Sequence, residues 1–163
     1  VDNTLKSLIE KDEKTKEEIF SDEEFISIFQ KTSRIYTSNV EEHKKPILQA
    51  FLKASVKKQI PLDKKYIFLR IIDELTESQL LILKDIYDNE KSTNYQYQTK
   101  LEEILIKKYA DNDKQYLTLL IKGLQDFYLL SYGSAEIIID GANQWHMKTS
   151  KITKDLFEYL LEE

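Results

Sequence analysis

Few side chains in this sequence have types and spacing suited to chemistry. The two imidazoles, His43 and His146, stand alone, with no second His three or four residues away. A metal bound by either would have to recruit distant carboxylates. His146 follows Trp145 and reads as part of a hairpin. Asp73, Glu74 and Glu77 are close enough for two of them to share a helix face, as a cation site or an acid–base pair. A helix boundary falls among them, however, and charges at a helix terminus account for them. Ser131, Ser134 and Asp140 bring hydroxyls and a carboxylate together without a His to order a triad. There is no cysteine, which excludes a thiolate nucleophile, a disulfide and a Cys-ligated zinc or iron–sulfur centre. Gly123, Gly133 and Gly141 are isolated, so neither a P-loop nor a dinucleotide fingerprint is present. The expectation is a protein that is not an enzyme, with no metal and no cofactor.

Binding chemistry is better represented. Between Lys31 and Lys65 nine cations face only Glu41, Glu42 and Asp63. Such a stretch can meet phosphate or an acidic partner, although a solvated helix face with lysine stems over apolar neighbours has the same composition. Lys53 and Lys57 are its one-turn pair. The net charge of −5 lies wholly beyond residue 64.

The elements that must position these residues are mostly helices. The chain has 163 residues, 41% hydrophobic and 33% charged, with three Gly and two Pro. That is enough apolar material for a core and too little punctuation for an all-β sandwich or a large α/β enzyme. Leu5, Leu8 and Ile9 open with helical spacing before a polar, frayed stretch. Ser21 and Glu24 form a capping box for a helix over 22–38 carrying Phe25, Ile28, Phe29 and Tyr36. A second helix spans 41–58 with Ile47, Phe51 and Ala54 inward, and Pro46 marks either its start or a kink. Asp63 is placed to cap a third, 64–75, whose apolar residues cover nearly every side, as in a central buried helix.

From Thr76 the pattern changes. Thr76 and Gln79 form a capping box for a helix to about Asn89, with Leu80, Leu83, Ile86 and Tyr87 on one face. After a loop at 91–94, helices follow over 100–110 and, capped by Asp113, over 113–127, with Leu117, Leu120, Ile121, Leu124 and Phe127 or Tyr128 inward. Residues 135–140 are short and β-branched, 140–143 have turn chemistry, and 144–149 return as a partner strand. Thr149 or Ser150 then caps a last helix bearing Ile152, Leu156, Phe157, Leu160 and Leu161. The order is that of a winged helix. The fold class expected is mainly α: a helical bundle over 1–75, followed by a winged-helix-like unit over 76–163 with one β-hairpin.

Residues 22–38, 41–55, 68–83, 120–132 and 147–160 together resemble a widespread group of uncharacterised bacterial proteins. These pair a helical N-terminal half with a winged-helix-like C-terminal half and are distantly similar to the abortive-infection alpha group. The resemblance implies an architecture and a link to phage defence or a mobile element, and no functional residues. Where that unit usually ends its third helix with Gly-Leu-Ile, this chain has Tyr128-Leu129-Leu130.

A winged helix suggests DNA binding through the third helix of the unit, with Lys114, Gln115, Thr118, Lys122, Gln125 and Asp126 outward and Lys148 on the wing. Only Lys114 and Lys122 on that helix are cationic, and Asp111, Asp113 and Asp126 surround them. Nucleic acid is therefore disfavoured by charge. A protein partner or self-association fits better, and the ten tyrosines, Tyr95, Tyr97, Tyr128 and Tyr132 among them, suit an interface. A nucleic-acid-binding regulator using Lys114, Lys122 and Lys148 together with the basic helix at Lys44 to Lys58, Lys53 and Lys57 included, is the alternative. No run approaches a membrane span and the start is not a signal peptide, so a cytoplasmic protein without membrane contact is expected. A first residue of Val1 reads as a fragment or processed form.

Overall fold

A computed structural model describes residues 21–38, 42, 44–57, 60–91, 101–131 and 148–161. The described chain is mainly helical: α1 (Glu23–Ser38), α2 (Lys44–Lys57), α3 (Leu62–Glu74), α4 (Glu77–Lys91), α5 (Leu101–Tyr109), α6 (Lys114–Asp126), strands β1 (Leu130–Ser131) and β2 (Lys148–Thr149), and α7 (Lys151–Leu161). The chain divides into two compact units, Val1–Glu74 with Glu158–Glu163, and Leu75–Phe157. The final turn of α7 therefore belongs to the first unit, where the sequence pointed to an undivided second half from Thr76.

In the first unit α1 packs on α2 and α3, and these two pack on each other. The cap of α1 is Asp22 rather than Ser21: its Oδ1 accepts from the amides of Glu24 at 2.9 Å and Phe25 at 3.2 Å. A carboxylate at this position also meets the positive end of the helix dipole. Phe25, Ile28, Thr32 and Ile35 turn inward, and the buried Thr32 hydroxyl is satisfied by donating to the Ile28 carbonyl at 2.8 Å. Pro46 falls in the first turn of α2, where its missing N–H has no partner to lose, so it marks the start of the helix and not a kink. The carbonyl of Pro61 accepts from the amides of Lys64 and Lys65. This starts α3 before Asp63, which sits inside the first turn and does not cap it. The third helix is also not buried all round. Phe68, Leu69, Ile71 and Ile72 face the core while Ile67 and Arg70 are exposed, because α1 and α2 cover one side of it only.

The basic stretch is largely engaged within this unit. Lys44 and Lys65 are buried, and the Lys44 Nζ donates to the Asp73 carbonyl at 3.1 Å. Lys31 lies 3.5 Å from the centre of the Tyr66 ring. Lys45 pairs with Glu42 at 2.5 Å, and that hydrogen bond raises its ammonium above the usual lysine range. The core is completed by Tyr159, whose ring lies 5.5 Å from both Phe51 and Phe68. Its hydroxyl donates to Ser55 Oγ at 3.0 Å.

In the second unit α4 packs on α5, α6 and β2, and α5 on α6. The capping box at its start is formed as the sequence indicates: Gln79 Oε1 accepts from the Thr76 amide at 3.0 Å, and Thr76 Oγ1 accepts from the Gln79 amide at 3.3 Å. Gln79 also donates through Nε2 to the Leu120 carbonyl at 3.2 Å. Gly123 makes room for it, since a Cβ there would lie 2.2 Å from that nitrogen.

The two strands pair antiparallel, Leu130 with Thr149 and Ser131 with Lys148. Lys148 and Thr149 thus pair with residues immediately after α6. The expected strand over 135–140, its turn and residues 144–147 lie outside the described residues, as do Leu5, Leu8, Ile9, His43, loop residues 92–94, Tyr95, Tyr97, Tyr132, Ser134, Trp145 and His146. Ser150, not Thr149, caps α7, accepting from the Thr153 amide at 3.4 Å while its own amide donates to the Leu129 carbonyl. On α7, Thr153, Leu156, Phe157 and Tyr159 are buried and Leu161 is exposed. The inward stripe is therefore rotated from the expected one. Glu90 of α4 accepts from the Thr149 amide and pairs with Lys154 at 3.0 Å, tying strand and helix to one carboxylate.

Candidate functional site

Most of the candidate binding residues stand on α6. Its start is set by Asp113, whose Oδ1 accepts from the amides of Gln115 at 2.8 Å and Tyr116 at 3.1 Å. The preceding turn takes left-handed backbone at Asp111 (φ 46°) and Asn112 (φ 66°), types whose short polar side chains tolerate it. Leu117, Leu120, Ile121 and Leu124 bury one stripe. The opposite side carries Lys114, Gln115, Thr118, Lys122 and Asp126, all exposed, with Gln125 half-buried. Among them stand two apolar residues that the stripe leaves out: Tyr116, 46% exposed, and Leu119, 67% exposed.

The end of α6 presents a third aromatic residue. The Phe127 amide donates to the Gly123 carbonyl, that of Tyr128 to Gln125 and that of Leu129 to Leu124, the pattern of a helix closed by a left-handed residue. That residue is Tyr128, with φ 56°. Glycine usually fills this position, because a side chain there costs about 1 kcal/mol. The reversal carries Tyr128 out of the inward stripe, where the sequence pattern places it, and leaves it 75% exposed.

Of the candidate binding residues, Lys114, Gln115, Thr118 and Lys122 share the exposed side of α6. Lys114 is not a free cation, since its Nζ pairs with Glu102 at 2.9 Å. Lys148 is exposed on β2, where its carbonyl accepts from the Ser131 hydroxyl at 3.3 Å. Lys53 and Lys57 are exposed one turn apart on α2, in the other unit. Tyr116 and Leu119 escaped the sequence reading because apolar type alone suggests burial. Their signal was that neither falls on the Leu117–Leu120–Ile121–Leu124 stripe.

Two groups with strongly perturbed protonation, Lys108 and Tyr109, form a clip with Asp85 between α4 and α5. Lys108 Nζ donates to Asp85 Oδ2 at 2.9 Å, and Tyr109 Oη donates to the same oxygen at 2.8 Å. Hydrogen bonds to Tyr109 and Asp85 raise Lys108, while burial pushes the Tyr109 phenol up to about 12. Both shifts hold the groups in their resting protonation states, the opposite of what a base or nucleophile needs. Glu74 pairs with Arg70 at 2.6 Å on the solvent side of α3. Among the described residues no group of three or more Asp, Glu, His or Cys could hold a metal. No helix there is long and apolar enough to cross a membrane.

Comparison with family models, curated proteins and solved structures finds no match.

Proposed function

We propose that the second unit is a non-enzymatic protein-interaction module on a winged-helix-like plan, with the exposed side of α6 as its contact face. The observation that carries this reading is the placement of Tyr116 and Leu119 in solvent, on the helix that a DNA-binding winged helix would insert in the major groove. Aromatic and aliphatic anchors supply protein interfaces with their energy, whereas a groove-reading helix needs cations for phosphate. Here Lys114 is held by Glu102 and Asp126 offsets Lys122. The resemblance noted in the sequence implies a bacterial setting connected with phage defence.

The rival reading, a nucleic-acid-binding regulator using Lys114, Lys122, Lys148, Lys53 and Lys57, is separated by two measurements. With the photo-crosslinking residue benzoylphenylalanine in place of Leu119, irradiation of cells is expected to give a protein adduct, and none from the exposed Thr37. Purified chain at low micromolar concentration and low salt is expected not to retard random duplex DNA. Salt-sensitive retardation together with no adduct at residue 119 would overturn the interaction reading and favour the rival.

A further inference from the structure

We infer that the partner of this face is a second copy of the chain, with two α6 helices paired antiparallel about a two-fold axis between Lys122 and Asp126; this rests on the contact face proposed above. Leu119, Lys122 and Asp126 follow one another at steps of three and four and so lie along one line of the helix surface. Tyr128 is exposed just past its end. In chain order the two charges of the line read positive then negative, which is its own complement when reversed. Antiparallel pairing sets Lys122 opposite Asp126 of the other copy, twice by symmetry, and brings Leu119 to the level of the other copy's Tyr128. Parallel pairing would set like charge on like charge.

Two features of α6 are unexplained within a single chain and fit this arrangement. Neither Lys122 nor Asp126 has an ion-pair partner among the described residues, whereas Lys84 and Asp88, at the same spacing on α4, pair at 2.5 Å. Asp126 moreover stands in the last turn, where the helix dipole disfavours an anion; a lysine from another copy compensates it there. A helix of 13 residues is about 20 Å long. The paired faces thus bury less than the roughly 1,200 Å² of a standard interface, and the dimer is transient and concentration-dependent.

Sedimentation equilibrium of the full chain from micromolar to millimolar concentration tests this. A monomer–dimer equilibrium weakened by salt is expected. Lys122→Asp or Asp126→Lys alone should weaken the dimer about tenfold, and the double exchange Lys122→Asp with Asp126→Lys should restore it. Both side chains are exposed, and circular dichroism should show the variants folded. A chain monomeric throughout, a dimer indifferent to Lys122→Asp, or a double exchange that fails to restore pairing would overturn the inference. A crosslink from residue 119 to a different protein, with a monomeric chain, would overturn the second copy and leave the interaction reading standing; no adduct and no dimer would overturn both.

Discussion

Tyr128 is the residue whose backbone and side chain disagree most. Its left-handed φ costs about 1 kcal/mol relative to glycine, and a ring so exposed recovers little by packing. Tyr128→Gly is therefore expected to stabilise the second unit by roughly 1 kcal/mol, a rise of about 2–4 °C in Tm by thermal unfolding at low protein concentration. A loss of stability would show that the ring packs on the chain after all. Tyr159 is the reverse case. Burial holds its phenol near 12, against an ordinary 10.0, so the fold favours the protonated ring. Its contribution is intact below pH 10 and is lost as pH rises through 12. An ultraviolet tyrosinate titration should show late-ionising tyrosines coinciding with alkaline unfolding of the first unit. Tyr159→Phe keeps the ring and removes the hydrogen bond to Ser55, at a cost of about 1 kcal/mol. Ser55 Oγ is not stranded by the change, because it also donates to the Phe51 carbonyl at 2.8 Å.

At the scale of elements, the junction of α4 with α6 turns on one glycine and one glutamine. Gly123→Ala improves helix propensity by about 1 kcal/mol, yet displaces Gln79 Nε2 from the Leu120 carbonyl, so its net effect on Tm should be near zero or negative. In a Gln79→Ala background the same change should stabilise by about 1 kcal/mol. A double-mutant cycle with no coupling would show that Gln79 moves aside freely. This junction illustrates what was legible in advance. The Thr76–Gln79 box and the Asp113 cap could be read from the sequence because a short side chain and its target amides lie within three residues of each other. Glu24 made Ser21 look like a cap, but Asp22 is one residue nearer the helix and won the position. The side that a helix turns to solvent depends on neighbours distant in sequence. Hence Ile67 and Leu161 were drawn toward a core they do not reach, while Tyr159 enters one. The left-handed turn at Tyr128 had its one signal in the resemblance, which places a glycine where this chain has Tyr128; the residue type itself does not announce the turn. The candidate contact face was legible in its polar residues and not in its two apolar ones.

For the molecule as a whole, the division into two units is not the division of the chain into two halves. Leu75–Phe157 is one run, while the first unit joins residues before 75 to a few from the far end. Tyr159→Ala should accordingly destabilise the N-terminal helices, by about 3 kcal/mol if the site behaves as a buried aromatic. Hydrogen exchange that loosens in α1–α3 rather than in α4–α6 would confirm it, and the reverse pattern would contradict it. The ring between Phe51 and Phe68 also bears on biosynthesis. Some 80 residues are translated after α3 leaves the peptidyl-transferase centre before Tyr159 is made, a delay on the order of ten seconds at roughly 5–20 residues per second. From the time α1–α3 emerge from the ribosome until Tyr159 follows them, Phe51 and Phe68 lack the ring that packs on them in the folded protein. A ribosome-bound chaperone, or a stalled chain stopping short of residue 159, would meet this surface and not the finished one.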